Sequence, residues 1–242
     1  MNTLTVLVPA LPILSAILTH LLAPGFGRRV ARLSVGLALL TFLAAATSLG
    51  MALSGEANHA VSLGQGWGII LFDPLSSLMA LVISGISFIV HLYSVRYMAE
   101  ETGYARFFVL LDLMTASLLI MVAAGDLITL LIAWHLVGVM LYFLLGHDTQ
   151  SPSAYRYGMW TFMTYRIGDI PLVLAAVVLF HTYGTWSLTV IFEQLAANPH
   201  ATTFFGLPAA EVVGGLVAFA AFARSAQFLL HTWLPYTMEG PT

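Results

Sequence analysis

The 242-residue sequence has no cysteine and no lysine, and only 8% of its residues are charged. Without cysteine there is no disulfide, thiolate metal site, iron–sulfur ligation or cysteine nucleophile. Without lysine the eight basic residues are all arginines, and they form no basic patch, which excludes a nucleic-acid partner. The shortage of charge excludes more. Soluble proteins average about 25% charged residues, and a globule of this length cannot clothe its surface in water with a third of that. What fills the chain instead is apolar: 60% of the residues are hydrophobic. The class is an all-α polytopic membrane protein with lipid around it.

A helix crossing the ~30 Å hydrocarbon layer needs ~20 mostly apolar residues. Seven segments qualify: 3–23, 31–53, 75–98, 106–124, 127–146, 157–181 and 209–231. Their apolar runs are continuous rather than alternating, which argues against a β-barrel. The first run is followed, not preceded, by its positive charges, so it does not read as a cleaved signal. Arginines set the orientation. Arg28, Arg29 and Arg32 flank the first connection, Arg96 and Arg106 the third, and Arg156 the fifth, whereas the second, fourth and sixth have none. Seven transmembrane helices therefore place the N-terminus outside and residues 232–242 in the cytoplasm. In the outer connections, residues 58–74 suit a short hairpin. Residues 187–197 suit a surface helix with Phe192 and Leu195 on one side.

Ionisable residues at membrane depth each call for a reason, because a charge there costs at least ~2.5–3.5 kcal/mol. At a rise of ~1.5 Å per residue, His135 lies about 12 Å from the outer face. Arg166 and Asp169 lie about 14 and 18 Å from the cytoplasmic face, and Asp112 and Arg224 about 10 Å from it. Arg166 and Asp169 are spaced i, i+3 and share a helix face. They suit either a structural ion pair or the tuning of a proton or cation path. His135 suits packing or a proton relay, and Asp112 a helix-to-helix hydrogen bond or a place on the path. Arg224 keeps its charge, so it biases a path without carrying the proton. Its setting, Phe222-Ala-Arg-Ser-Ala-Gln-Phe228, crowds polar groups into an apolar helix and suggests a broken stretch.

Eight histidines raise the question of haem. An axial pair must lie at one depth, and His91, about 24 Å from the outer face, does not match His135 at about 12 Å. His20, His147, His181 and His231 sit at span ends. No phosphate-cradling loop, zinc spacing or nucleophile elbow is present, so the chain itself has no catalytic centre, metal site or cofactor site.

Several stretches together resemble a known family: HLYSVRYM (91–98), GYARFF (103–108), AWHLVG (133–138), YRIGD (165–169) and ARSAQFLLHTWLPYTMEGPT (223–242). They are similar to the antiporter-like subunits of respiratory complex I, above all the NuoL type. Relatives are the Mrp antiporter large subunit and the DabB subunit of bacterial inorganic-carbon accumulation complexes. The resemblance implies a bacterial inner-membrane, multi-pass bundle with inverted five-helix repeats, a broken helix and a buried glutamate–lysine pair for ion translocation. On that basis residues 1–74 hold two N-terminal helices and an outer loop. Residues 75–242 hold the first antiporter-like repeat, incomplete at its C-terminus, as in one part of a longer protein.

Arg166 and Asp169 match the family's Arg-x-Gly-Asp. His135, after Trp134, stands where complex I subunits have glutamate, and Arg224 where they have lysine. Replacement of both members of that pair favours a relative outside the electron-transfer complex. The expected function is a DabB-type subunit that couples proton or sodium flow to CO2/bicarbonate accumulation. Its partner would be a large soluble DabA-like zinc protein resembling a β-carbonic anhydrase, and zinc is expected in that partner only. The alternatives are a proton-pumping NuoL-type subunit of NADH–quinone oxidoreductase, an Mrp-type cation/proton antiporter, and a non-transporting assembly subunit.

Overall fold

The computed structural model describes residues 3–54, 59–62, 64, 67–198, 200–203, 206–227 and 229–240. Among these the chain is mostly helical: α1 (Thr3–Phe26), α2 (Val30–Leu53), α3 (Pro74–Tyr97), α4 (Tyr104–Val122), α5 (Leu127–Leu145), α6 (Pro152–Tyr183), α7 (Leu188–Ala197) and α8 (Ala209–Arg224). A two-stranded sheet, β1 (His59–Ser62) and β2 (Ile69–Phe72), precedes α3. It forms the hairpin expected between 58 and 74; Asn58 and residues 63, 65 and 66 lie outside the described residues.

Among the described residues, five apolar helical stretches are long enough to cross a membrane. The first is a 49-residue run, Thr5–Leu53, made of α1, a 3-10 turn at Gly27–Arg29, and α2. The others are α3, α4, α5 and α6. The segment expected as a seventh span, 209–231, is α-helical only through Arg224, so α8 has 16 residues.

The chain divides into two compact units, residues 1–62 with 70–124, and residues 63–69 with 125–242. In the first, α1 packs on α2 and α4, and α3 on α2 and α4. The start of α3 is fixed by a capping box. Asp73 Oδ1 accepts from the Ser76 backbone N–H at 2.6 Å, and the Asp73 N–H donates to Ser76 Oγ at 2.7 Å. Pro74 sits in the first turn, where a missing N–H costs nothing. The buried stripe of α3 is made of small and polar residues, Ser77, Ala80, Ser84, Ser87, His91 and Ser94, while Ile86 is 59% exposed. That is the burial pattern of a helix in lipid: small residues let backbones approach, and large apolar side chains gain nothing by turning inward.

The second unit follows the same rule. Its α6 buries Gly158, Thr161, Gly168, Asp169 and Ala175, while Ile167 is 53% exposed. A Cβ at Gly168 would collide with Ala223 Cβ, so these two small residues set how closely α6 and α8 pack. At the start of α5 the buried Asp126 accepts from Thr129 N–H at 2.8 Å, Thr129 Oγ1 at 2.6 Å and Ile69 N–H at 2.7 Å. The surface helix appears as α7, but Ile191 (2% exposed) is its docking residue, whereas Phe192 is 62% exposed.

The helix α8 stops where Ala226 takes a left-handed φ of 51°, and Gln227 N–H returns to the Phe222 carbonyl at 3.0 Å. This is the closing bond of a Schellman-type end. The chain then folds back. Trp233 Nε1–H donates to the Ala223 carbonyl at 3.0 Å, and its ring meets Tyr165 edge-on at 4.9 Å. Tyr236 stacks on Tyr157 at 4.5 Å. The break expected around Arg224 is therefore present; Phe228, Pro241 and Thr242 lie outside the described residues.

Candidate functional site

Four of the five candidate residues converge in the second unit, around the carboxylate of Asp169 (3% exposed). Its Oδ1 accepts from Trp134 Nε1–H at 2.6 Å and from Arg224 Nη2 at 3.3 Å. Its Oδ2 lies 2.8 Å from Arg166 Nη2, an ion pair by distance whose alignment falls short of a hydrogen bond. His135 Nε2 lies 3.7 Å from the same oxygen. Three helices supply these groups: α5 gives Trp134 and His135, α6 gives Arg166 and Asp169, and α8 gives Arg224.

Arg224 is the residue that ties them. Its Nη2 also donates to the Trp134 carbonyl at 2.6 Å, and its guanidinium lies 4.7 Å from the Trp134 ring and 4.3 Å from the Tyr165 ring. A planar guanidinium can stack and donate sideways at once, which a lysine ammonium cannot. Arg166 lies over the Phe162 ring at 4.6 Å. The two guanidiniums have room because α5 has glycine at 138: a Cβ there would stand 2.9 Å from Arg166 Nη2 and 3.4 Å from Arg224 Nη2.

The chemistry of the cluster follows from which groups can change charge. Both arginines stay protonated, so two fixed positive charges face one carboxylate. His135 Nδ1 lies 2.8 Å from the Leu131 carbonyl, which can only accept, so that nitrogen carries a proton. Its other ring nitrogen, Nε2, faces Asp169. A proton or small cation that arrives here meets one imidazole nitrogen and one carboxylate held in a fixed electrostatic frame.

The fifth candidate, Asp112, lies in the first unit on α4. Its Oδ2 accepts from Ser15 Oγ at 2.7 Å and Ser34 Oγ at 2.9 Å, and its Oδ1 lies 3.1 Å from His91 Nε2. Sequence reasoning weighed His91 only against haem ligation, rejected that, and missed this pair. The available signal was the short connection between α3 and α4. His91 lies six residues before the end of α3 and Asp112 eight after the start of α4, so an antiparallel pair puts them at one depth. Trp134 and Gly138 were also missed as parts of the Asp169 cluster, although both lie in the AWHLVG stretch.

Residues 124–242 match the family described as "NADH:quinone oxidoreductase/Mrp antiporter, TM", and residues 67–108 match "NADH-Ubiquinone oxidoreductase (complex I), chain 5 N-terminus". The chain is 59% identical to the probable inorganic carbon transporter subunit DabB1 of Halothiobacillus neapolitanus, over all of this chain and 43% of that protein. It is 38% identical to the chloroplastic NAD(P)H-quinone oxidoreductase subunit 5 of Anthoceros angustus, over 71% of this chain and 23% of that one. The chain thus spans less than half the length of the curated relatives it matches. Among solved structures, the Mrp complex from Dietzia sp. DQ12-45-1b superposes with a TM-score of 0.80 at 25% identity, over 98% of this chain and 25% of that chain. The archaeal membrane-bound sulfane sulfur reductase shares the fold, with a TM-score of 0.81 at 19% identity, over 98% of this chain and 48% of that chain. The chain belongs to the family of antiporter-like membrane subunits found in NADH:quinone oxidoreductase and Mrp antiporters.

Proposed function

We propose that this chain is the membrane-embedded, proton-translocating (or sodium-translocating) part of a DabB-type inorganic carbon transporter. The single observation that carries this reading is the 59% identity to the DabB1 subunit across the whole chain, against 38% over 71% of it for the quinone oxidoreductase subunit. The site supports it too. Histidine and arginine replace the acid and lysine expected of a complex I pump, and both stand in the cluster around Asp169. In this reading His135 and Asp169 take the cation, while Arg166 and Arg224 hold the carboxylate charged and in place. Asp112 contributes from the first unit. Cation flow is coupled to a large soluble DabA-like partner, which carries the zinc and hydrates CO2.

The setting is a bacterial inner membrane crossed seven times, with the N-terminus outside. The helices α1 to α6 supply six crossings, and α8 supplies the seventh. Deletion of the gene is expected to impose a need for elevated CO2, and unimpaired growth in air would refute the carbon-transport reading. The second reading, a NuoL-type or Mrp-type pump subunit, is favoured by the two family matches and by the Mrp superposition. It predicts quinone-reductase or antiporter subunits as the co-purifying partners.

A further inference from the structure

The carboxylate of Asp112 and the ring of His91 are both fully enclosed, at 1% and 0% exposed. Unlike Asp169, Asp112 faces no arginine among the described residues; its ion-pair partner is the imidazole. The groups around the pair are hydroxyls from every helix of the unit: Ser15 from α1, Ser34 from α2, Ser87 from α3 and Thr115 from α4. The Phe108 ring closes the site at 5.9 Å from the imidazole.

The protons can be counted from the contacts. His91 Nδ1 lies 2.7 Å from the Ser87 carbonyl oxygen, an obligate acceptor, so Nδ1 carries a hydrogen. The 3.1 Å contact between Nε2 and Asp112 Oδ1 then needs one proton between two lone pairs. That proton makes either imidazolium with carboxylate or imidazole with carboxylic acid. In both forms the pair is neutral overall and holds a single removable proton. Its loss leaves a carboxylate still bonded by two serine hydroxyls, with the Nε2 and Oδ1 lone pairs facing each other, an arrangement that draws a proton back. Beyond the ring, Ser87 Oγ lies 3.3 Å from His91 Nδ1 and 2.7 Å from Thr115 Oγ1, which extends a chain of groups that both donate and accept.

We propose that His91 and Asp112 form a second proton-holding site, a dyad in the first unit that takes up and releases one proton between Nε2 and Oδ1 during cation transfer. The proposal rests on the cation-translocating reading above and deepens it: that reading has Asp112 contribute from the first unit, and the dyad adds His91 and a proton held between the two. In the second unit the countercharge to the buried acid is fixed by two arginines. In the first it is itself a proton.

The test uses the full-length protein with its native partner in proteoliposomes. Asp112→Asn is the informative change: its carbonyl still accepts from Ser15 and Ser34, and its amide donates to a neutral His91, so the contacts survive without the proton. His91→Gln is the second variant, and partner co-purification checks assembly. We expect each variant to lower proton flux by ~100-fold, the scale of a lost proton-transfer group. We also expect an infrared pH titration to lose the imidazole or carboxyl signal that wild type shows. Wild-type flux in both variants, with flux abolished in Asp169→Asn, would overturn the dyad while leaving the translocation reading intact. Intact flux in Asp169→Asn would instead remove that reading, and the infrared signal alone then decides whether the dyad holds a proton. Its absence from wild type overturns the proposal.

Discussion

Gly168→Ala places a methyl group against the Ala223 methyl, one residue before Arg224, on the face where α6 and α8 meet. Overpacking of this kind costs about 1–3 kcal/mol. The better helix propensity of alanine returns up to about 1 kcal/mol, so a net loss of about 1–2 kcal/mol is expected. Ala223→Gly removes a buried methyl and lowers propensity, at a similar cost. The double variant only moves the methyl from α8 to α6, so it should return close to wild type, a coupling of about 2–4 kcal/mol. Denaturation of the detergent-solubilised full-length protein measures the cycle. The functional arm is cation flux. The single Gly168→Ala change displaces the turn that aims Arg224 at Asp169 (3.3 Å) and at the Trp134 carbonyl (2.6 Å), and the double variant restores it. Additivity within about 0.5 kcal/mol would refute the close approach of the two helices as the cause.

Three further outcomes follow from the geometry. Trp134→Phe removes the indole donor to Asp169 and should cost about 1.5–3 kcal/mol of interaction with the charged acceptor, read as a loss of flux with partner binding retained. Arg224→Lys cannot meet Asp169, the Trp134 carbonyl and the Tyr165 ring together, so flux should fall although the charge is kept. Wild-type flux would show that charge alone matters there. Ala226→Gly relieves a left-handed backbone at the end of α8 (φ 51°) and should stabilise the protein by up to about 1 kcal/mol, as measured by thermal unfolding.

Most of the helices were legible in the sequence because lipid demands continuous apolar runs, and that demand is independent of tertiary contacts. Asp73-Pro74 starts α3 one residue before the apolar run, whereas Ser151-Pro152 starts α6 five residues earlier than the run suggests. The seventh segment stays apolar through residue 231, whereas the helix within it ends at Arg224. The Schellman-type bond and the Trp233 anchor that end α8 depend on a return of the chain that hydropathy does not encode. At the site, the i, i+3 spacing of Arg166 and Asp169 was readable, since it lies within one helix. The contributions of Trp134 and Gly138 depend on which helix faces which, and with apolar residues on all faces the pattern does not say; the depth of His91 opposite Asp112 was readable from the short α3–α4 connection.

In the proposed function a cation gradient drives inorganic-carbon chemistry through Asp169. The direct measurement takes the complex purified from native membranes, with its partners identified and its zinc content measured, and reconstitutes it in proteoliposomes. Inorganic-carbon hydration is then followed with and without an imposed proton or sodium gradient. We expect a single large zinc-containing partner and gradient-dependent hydration. Asp169→Asn should abolish that activity while still retaining the partner. Hydration indifferent to the gradient and to Asp169→Asn, or a set of quinone-reductase subunits in place of the zinc protein, would contradict it.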